Sequence, residues 1–190
     1  MVDVIIPVYN QEELVVRAIQ SVPIEWNIIA VNDGSTDNTL DTVLRTLRNN
    51  DILITYKQNK GVSHAINRAL DICRSEYVVL LGSDDYFLPN IQSIALDGKD
   101  LIYFGLRYND NTTVVVSNEN KMFYCGSVKF MRREFIGELR NNEEMEYNED
   151  ADFMKKLLNK KPSETFSGII GKHYNFPREG SLNWMAQQKL

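Results

Sequence analysis

Cysteine is scarce in this chain: Cys73 and Cys125 are its two cysteines in 190 residues. They show no C-x-x-C spacing, so a disulfide framework is not indicated. Positive charge is also in short supply. Lysine and arginine number 21 against 26 acidic residues, leaving a formal charge of −5. That balance argues against broad attraction to nucleic acid or to an anionic membrane. An anionic substrate would need local counter-charge, from a metal or from a few placed basic side chains. No apolar run approaches the length of a membrane span, and Met1-Val2-Asp3 opens no signal peptide, so a cytoplasmic, reducing location is the default expectation. No G-x-G-x-x-G follows the first strand-like run, which argues against a dinucleotide-dependent oxidoreductase. Internal repeats, low-complexity tracts and linkers are lacking too. With 43% hydrophobic and 25% charged residues, the chain reads as one globular domain able to bury a substantial core.

What is present is a rhythm. Val4-Ile5-Ile6-Pro7-Val8, Ile28-Ile29-Ala30-Val31, Ile52-Leu53-Ile54-Thr55-Tyr56 and Tyr77-Val78-Val79-Leu80-Leu81 read as short buried strands. Between them, apolar residues recur at helical spacing: Leu14, Val15, Ala18, Ile19 and Val22; then Leu40, Val43, Leu44 and Leu47; then Val62, Ala65, Ile66, Ala69, Leu70 and Cys73. Glu12 and Glu13 fall in the favoured acidic first turn, and Asp37 suits a helix N-cap. Strands alternating with amphipathic helices predict a parallel sheet with right-handed crossovers.

After Asp85 the rhythm changes. Residues 101–104 and 113–116 read as strands around an Asn109-Asp110-Asn111 turn, as antiparallel additions to the sheet. Val128, Met131, Phe135 and Ile136 predict a helix from near Ser127 to Gly137. An acid-rich run over 141–152 leads into a short helix with Phe153, Met154, Leu157 and Leu158 on one face. A last strand is expected over 169–176. The fold class is therefore α/β, a Rossmann-like, mostly parallel sheet flanked by helices with added antiparallel strands.

Chemistry concentrates where the run of residues 77–81 ends. Gly82 and Ser83 stop it, and Asp84 and Asp85 follow. Ligand crevices of open α/β sheets lie outside the carboxyl ends of the strands. Hard oxygen donors on a short turn suit Mg²⁺ or Mn²⁺. The same two acids would equally serve to cap a turn before Leu88-Pro89.

Five stretches, in this order, resemble the family 2 glycosyltransferases of the GT-A fold: residues 4–10, residues 31–37 (Val31-Asn32-Asp33-Gly34-Ser35-Thr36-Asp37), Asn59-Lys60-Gly61 with Ala65 and Asn67, Ser83-Asp84-Asp85, and Asn148-Glu149-Asp150. The resemblance covers nearly the whole chain. It implies a nucleotide-sugar donor, with UDP favoured, a divalent Mn²⁺ or Mg²⁺ cofactor, and inversion at the anomeric carbon. It also implies a donor-binding half over residues 1–98 and an acceptor-side half over 99–190. The acceptor would be a glycan, a lipid-linked sugar or another hydroxyl compound; no nucleic acid and no integral membrane segment are expected.

Carried over residue by residue, the resemblance makes Asp85 the metal contact and sets Asp84 on the donor ribose or in the metal's shell. Asp150 becomes the base that takes the acceptor's proton, with Glu149 and Asp152 as alternatives within the same run and an ordinary N-cap as the structural reading. Pro7, Val8 and Tyr9 would line the nucleobase and Asp33 would accept its imino hydrogen, although Tyr9 also suits packing and Asp33 a turn. Asn59 and Gly61 are expected near the nucleotide, with Asn67 there or bracing the turn. His173 and Arg178 belong to a late basic segment expected over the diphosphate, His173 being equally a core histidine; Arg132 and Arg133 are weaker candidates. The chain departs from the pattern at Gly82, where many members carry a further acid, which bears on metal affinity. It also lacks the Q-x-x-R-W signature of processive members. A nucleotide-sugar-binding protein with little or no transfer is the alternative function.

Overall fold

The computed structural model describes residues 1–122 and 126–176. Four strands, β1 (Val2–Val8), β2 (Asn27–Asp33), β3 (Ile52–Tyr56) and β4 (Tyr77–Leu80), lie parallel in the order β3-β2-β1-β4. Helices α1 (Val15–Gln20), α2 (Thr39–Thr46) and α3 (Val62–Leu70) connect them. Central β1 is buried on both faces, which is why its sequence shows no polar alternation.

Beyond β4 the sheet continues through strands of both directions. The order runs β4, β8 (Lys129–Arg132), β6 (Leu101–Arg107), β9 (Glu164–His173) and β5 (Tyr86–Phe87), with β7 (Thr113–Val114) antiparallel on β6. β8 is antiparallel to both neighbours, whereas β6 and β9 run parallel. A single helical turn, α4 (Arg133–Ile136), follows β8, and α5 (Glu149–Asn159) carries Phe153, Met154 and Leu157 into the core.

Several expectations are corrected. The helix predicted from Ser127 is strand β8 followed by α4, because residues 129–131 fill the gap between β4 and β6 and are buried whichever way they point. Sheet pairing there outweighs an apolar spacing that also fits a helix. On α2 the core face is Thr39 and Val43, and Leu44 is 58% exposed. Asn38, not Asp37, is the N-cap residue of α2, although Asp37 Oδ1 still accepts the Thr39 N–H at 3.0 Å. Glu12 and Glu13 precede α1, and Glu12 instead accepts the Asn38 N–H. The last strand begins earlier than expected, at Glu164, and ends at His173. Cys73 is buried with its thiol pushed up to about 12 by desolvation, as suits inert packing; Cys125 lies outside the described residues.

Candidate active site

The carboxyl ends of β1, β2 and β4 open onto a cleft of about 630 Å³. Its floor is built by short loops that hold each other. Asn10 donates its backbone N–H to Ser35 Oγ and accepts the Thr36 N–H, while the Gln11 N–H reaches Thr39 Oγ1. The loop after β1 is thereby fastened to the loop after β2. Gly34, at φ +72°, is what lets the next loop close on this pair: a Cβ there would sit 2.4 Å from the Gln58 carbonyl carbon. Only glycine tolerates both that angle and that contact.

Asp33 then organises the third loop. Its carboxylate accepts the backbone N–H of Lys60 at 3.0 and 3.1 Å and that of Gly61 at 2.8 Å. Asn59 Oδ1 also accepts the Gly61 N–H. Oδ2 accepts from both N–H groups and Oδ1 from one, so Oδ1 keeps a lone pair able to accept from a ligand. Pro7, Val8, Tyr9, Asp33, Asn59 and Gly61 all line the cleft, with the Tyr9 ring 42% exposed.

Asp84 and Asp85 line the same cleft, and so do Glu149 and Asp150 from the far half of the chain. Asp150 is the second residue of α5 and is exposed; the N-cap is Asn148, at φ +60°. The ordinary cap reading therefore falls to Asn148, although Asp150 Oδ1 takes the Ala151 N–H at 2.7 Å. The other oxygen, Oδ2, comes within 3.2 Å of where a Cβ on Gly126 would stand. Burial and then the neighbouring Asp150 charge raise the carboxyl of Glu149, opposed by its own backbone N–H.

Asp85 is only 3% exposed, and both of its oxygens are engaged. Lys172, on β9 and 2% exposed, donates from Nζ to Oδ2 at 2.8 Å, and the Asn175 N–H reaches Oδ1 at 2.9 Å. Lys172 also donates to Ser127 Oγ, and Ser127 lines the cleft. Burial pushes the Asp85 carboxyl above its ordinary value, with Lys172 opposing and Asp84 reinforcing. Mn²⁺ or Mg²⁺ on Asp85 would either share its carboxylate with the buried ammonium or displace it, and in both cases would face a fixed cation. Breaking a buried pair from one side costs about 3–5 kcal/mol. As arranged, the residues do not fit a divalent ion at Asp85.

Other expected positions lie elsewhere. His173 is not among the residues lining the cleft; its ring stacks on Tyr86 at 4.5 Å, and burial together with Arg107 and Arg17 lowers its basicity. Arg132 pairs with Asp100 at 2.6 Å, and Arg133 donates to the Ser75 carbonyl. Asn67 is buried and braces the acid-rich loop rather than the nucleotide side, donating to the Asn141 carbonyl and Glu143 Oε1 and accepting the Asn141 N–H. Arg178 lies outside the described residues. Sequence reasoning gave no individual role to Lys172, Ser127 or Gly34, although Lys172 opens the late basic segment and Gly34 sits in the polar turn over 31–37.

Comparison with known proteins bears on the family and on the fold. The model of "Glycosyl transferase family 2" matches residues 3–109. A chondroitin synthase of Escherichia coli is 31% identical over 129 residues, covering 62% of this chain and 19% of that protein. A hyaluronan synthase of Pasteurella multocida is 33% identical over 101 residues, covering 50% of the chain and 10% of the relative. The chain thus spans a fifth or less of these relatives. S. aureus TarS 1-349 in complex with UDP-GlcNAc superposes with a TM-score of 0.81 at 22% identity, over 95% of this chain and 59% of that one. A Pyrobaculum calidifontis mannosyltransferase in complex with GDP-Man and Mn²⁺ gives 0.74 at 17% identity, over 98% and 60%. These two likenesses show the GT-A fold.

Proposed function

The chain belongs to glycosyl transferase family 2, and from that premise we propose that it moves one sugar from a nucleotide-sugar donor to an acceptor hydroxyl, with inversion at the anomeric carbon. The observation that carries this reading is the sharing of one cleft by Tyr9, Asp33, Asp84, Asp85 and, from α5, Asp150. Tyr9 offers an aromatic face to a nucleobase and Asp33 an acceptor for its imino hydrogen. UDP is taken as the nucleotide, in line with the UDP-GlcNAc complex of the same fold. A glycan acceptor is favoured by the two synthases among the relatives.

Inversion needs the acceptor oxygen to attack opposite the departing diphosphate, and its proton must go to a base as the bond forms. Asp150 is exposed, lines the cleft at the start of α5, and is the residue we assign to accept that proton. Asp84, half-buried and lining the same cleft, is assigned to the donor ribose. Divalent-metal chemistry is the family's usual aid to the leaving group; here the lysine bound to Asp85 stands against it.

Titration of UDP-, GDP- and dTDP-sugars, followed by thermal shift and by release of nucleoside diphosphate, tests the reading. Asp150→Asn is expected to keep donor affinity within about twofold while turnover falls by about 10²–10⁴, the usual worth of a general base. Failure of every nucleotide sugar to bind would reject the donor assignment. Unchanged turnover in Asp150→Asn would remove Asp150 as the base.

A further inference from the structure

Lys172 is an ammonium enclosed by the fold. Its register partners on the flanking strands, Phe87 of β5 and Leu106 of β6, are both buried, and the Tyr174 ring lies 5.1 Å from its Nζ. A side chain so placed cannot withdraw into water when a second cation arrives at Asp85. Gly82 fits the same arrangement. A Cβ there would stand 3.0 Å from Asp85 Oδ2 and 3.0 Å from Asp84 Oδ1, so the absence of a side chain lets Asp85 turn onto the lysine. Among the described residues, no group of three or more histidine, cysteine, aspartate or glutamate side chains is arranged to hold a metal ion.

We propose that Lys172 is the resident counter-cation of this cleft, standing on Asp85 in place of a divalent ion, so that the donor diphosphate binds without free metal. Its second half rests on the donor reading above; the first does not. The route from the buried charge to a ligand is Ser127: with its oxygen accepting from the ammonium, the hydroxyl hydrogen remains available to a phosphate oxygen in the cleft. A polarised donor of this kind strengthens the bond it makes.

The test uses Mn²⁺ alone, titrated into the whole chain and followed by the electron paramagnetic resonance signal of the free ion. Wild type is expected to leave that signal undiminished to millimolar metal. Lys172→Met, which removes the ammonium and keeps the stem, is expected to gain a site at least about tenfold tighter. Adding Asp85→Asn to it should abolish the gain. A tight Mn²⁺ site in wild type would overturn the proposal, and this arm needs no variant to fold. Absence of any gain in folded Lys172→Met would overturn it too, since the lysine would then not be what keeps metal from Asp85. In parallel, UDP affinity is measured in EDTA and in Mn²⁺. Equal affinity supports the proposal, and binding only with Mn²⁺ overturns it. No UDP binding in either rejects the donor reading and with it the second half, while the metal titration still decides the role of Lys172.

Discussion

Gly82 and Lys172 act on one carboxylate from two sides. Of the two oxygens a new Cβ at 82 would crowd, Asp84 Oδ1 belongs to a half-buried side chain, while Asp85 Oδ2 is held by the buried lysine. Gly82→Ala is therefore expected to lower the urea unfolding free energy by about 1 kcal/mol, the low end for overpacking. In the Lys172→Met background, where Oδ2 is released, the loss should shrink. An equal loss in both backgrounds would mean that the strain does not run through the ion pair. Asp84, Asp85 and Asp150 were singled out in the sequence by position and by resemblance, although turns and helix starts have structural uses for acids too; that all three line one cleft came from the structure. Lys172 was not singled out, because in the sequence it stands only as the first residue of the late basic segment, with nothing to mark it as buried. Only the pairing of β9 between β5 and β6 encloses it.

At the scale of elements, Asp3 fastens β1 to what flanks it. Its carboxylate accepts Arg74 N–H at 2.7 Å, Ser75 N–H at 2.8 Å, Ser75 Oγ–H at 2.6 Å and Asn27 Nδ2 at 2.9 Å. Burial pushes this carboxyl up, but the bonds from Ser75, Asn27 and Arg74 outweigh it and hold it below the ordinary value. A depressed folded pKa contributes stability in full above the unfolded value, about 4, and loses it as pH falls through the folded value. Asp3→Ala should cost about 3 kcal/mol at neutral pH, with unpartnered donors left behind. The gap to wild type, read from urea midpoints, should narrow as pH falls below about 4; a constant gap would remove the ionised carboxylate as its cause. Asn67 plays a comparable part between α3 and the loop at 141–143. Asn67→Ala is expected to speed amide hydrogen exchange at residues 141–143 while leaving β1 and β4 protected. Equal exchange in variant and wild type would show that the loop is held by other contacts. The helix predicted from near Ser127 to Gly137 shows the opposite case: local spacing suited either element, and over residues 129–132 the neighbours β4 and β6 chose the strand, leaving one helical turn after it.

Across the whole molecule, one sheet joins the half rich in nucleotide-site candidates to the half carrying Asp150. β8 closes the free edge of β4, and β5, from the first half, pairs with β9. We expect a single urea transition by fluorescence and by far-UV circular dichroism, and a fragment of residues 1–98 that does not fold alone, since it would expose the β4 edge and leave β5 unpaired. Two separated transitions would mark the halves as independent. What the sequence determined by itself was local and periodic: four strands, the helices between them, and acids at strand ends; β3, read as buried, is instead a half-exposed edge with Ile52 44% exposed. Spacing along one chain suffices for these, because burial period and turn chemistry are properties of neighbouring residues. What the tertiary structure decided was which charges meet. The contact between Lys172 and Asp85 spans 87 positions, and no local pattern encodes it. Whether a carboxylate faces water, a metal or an ammonium depends on which strand the fold lays behind it.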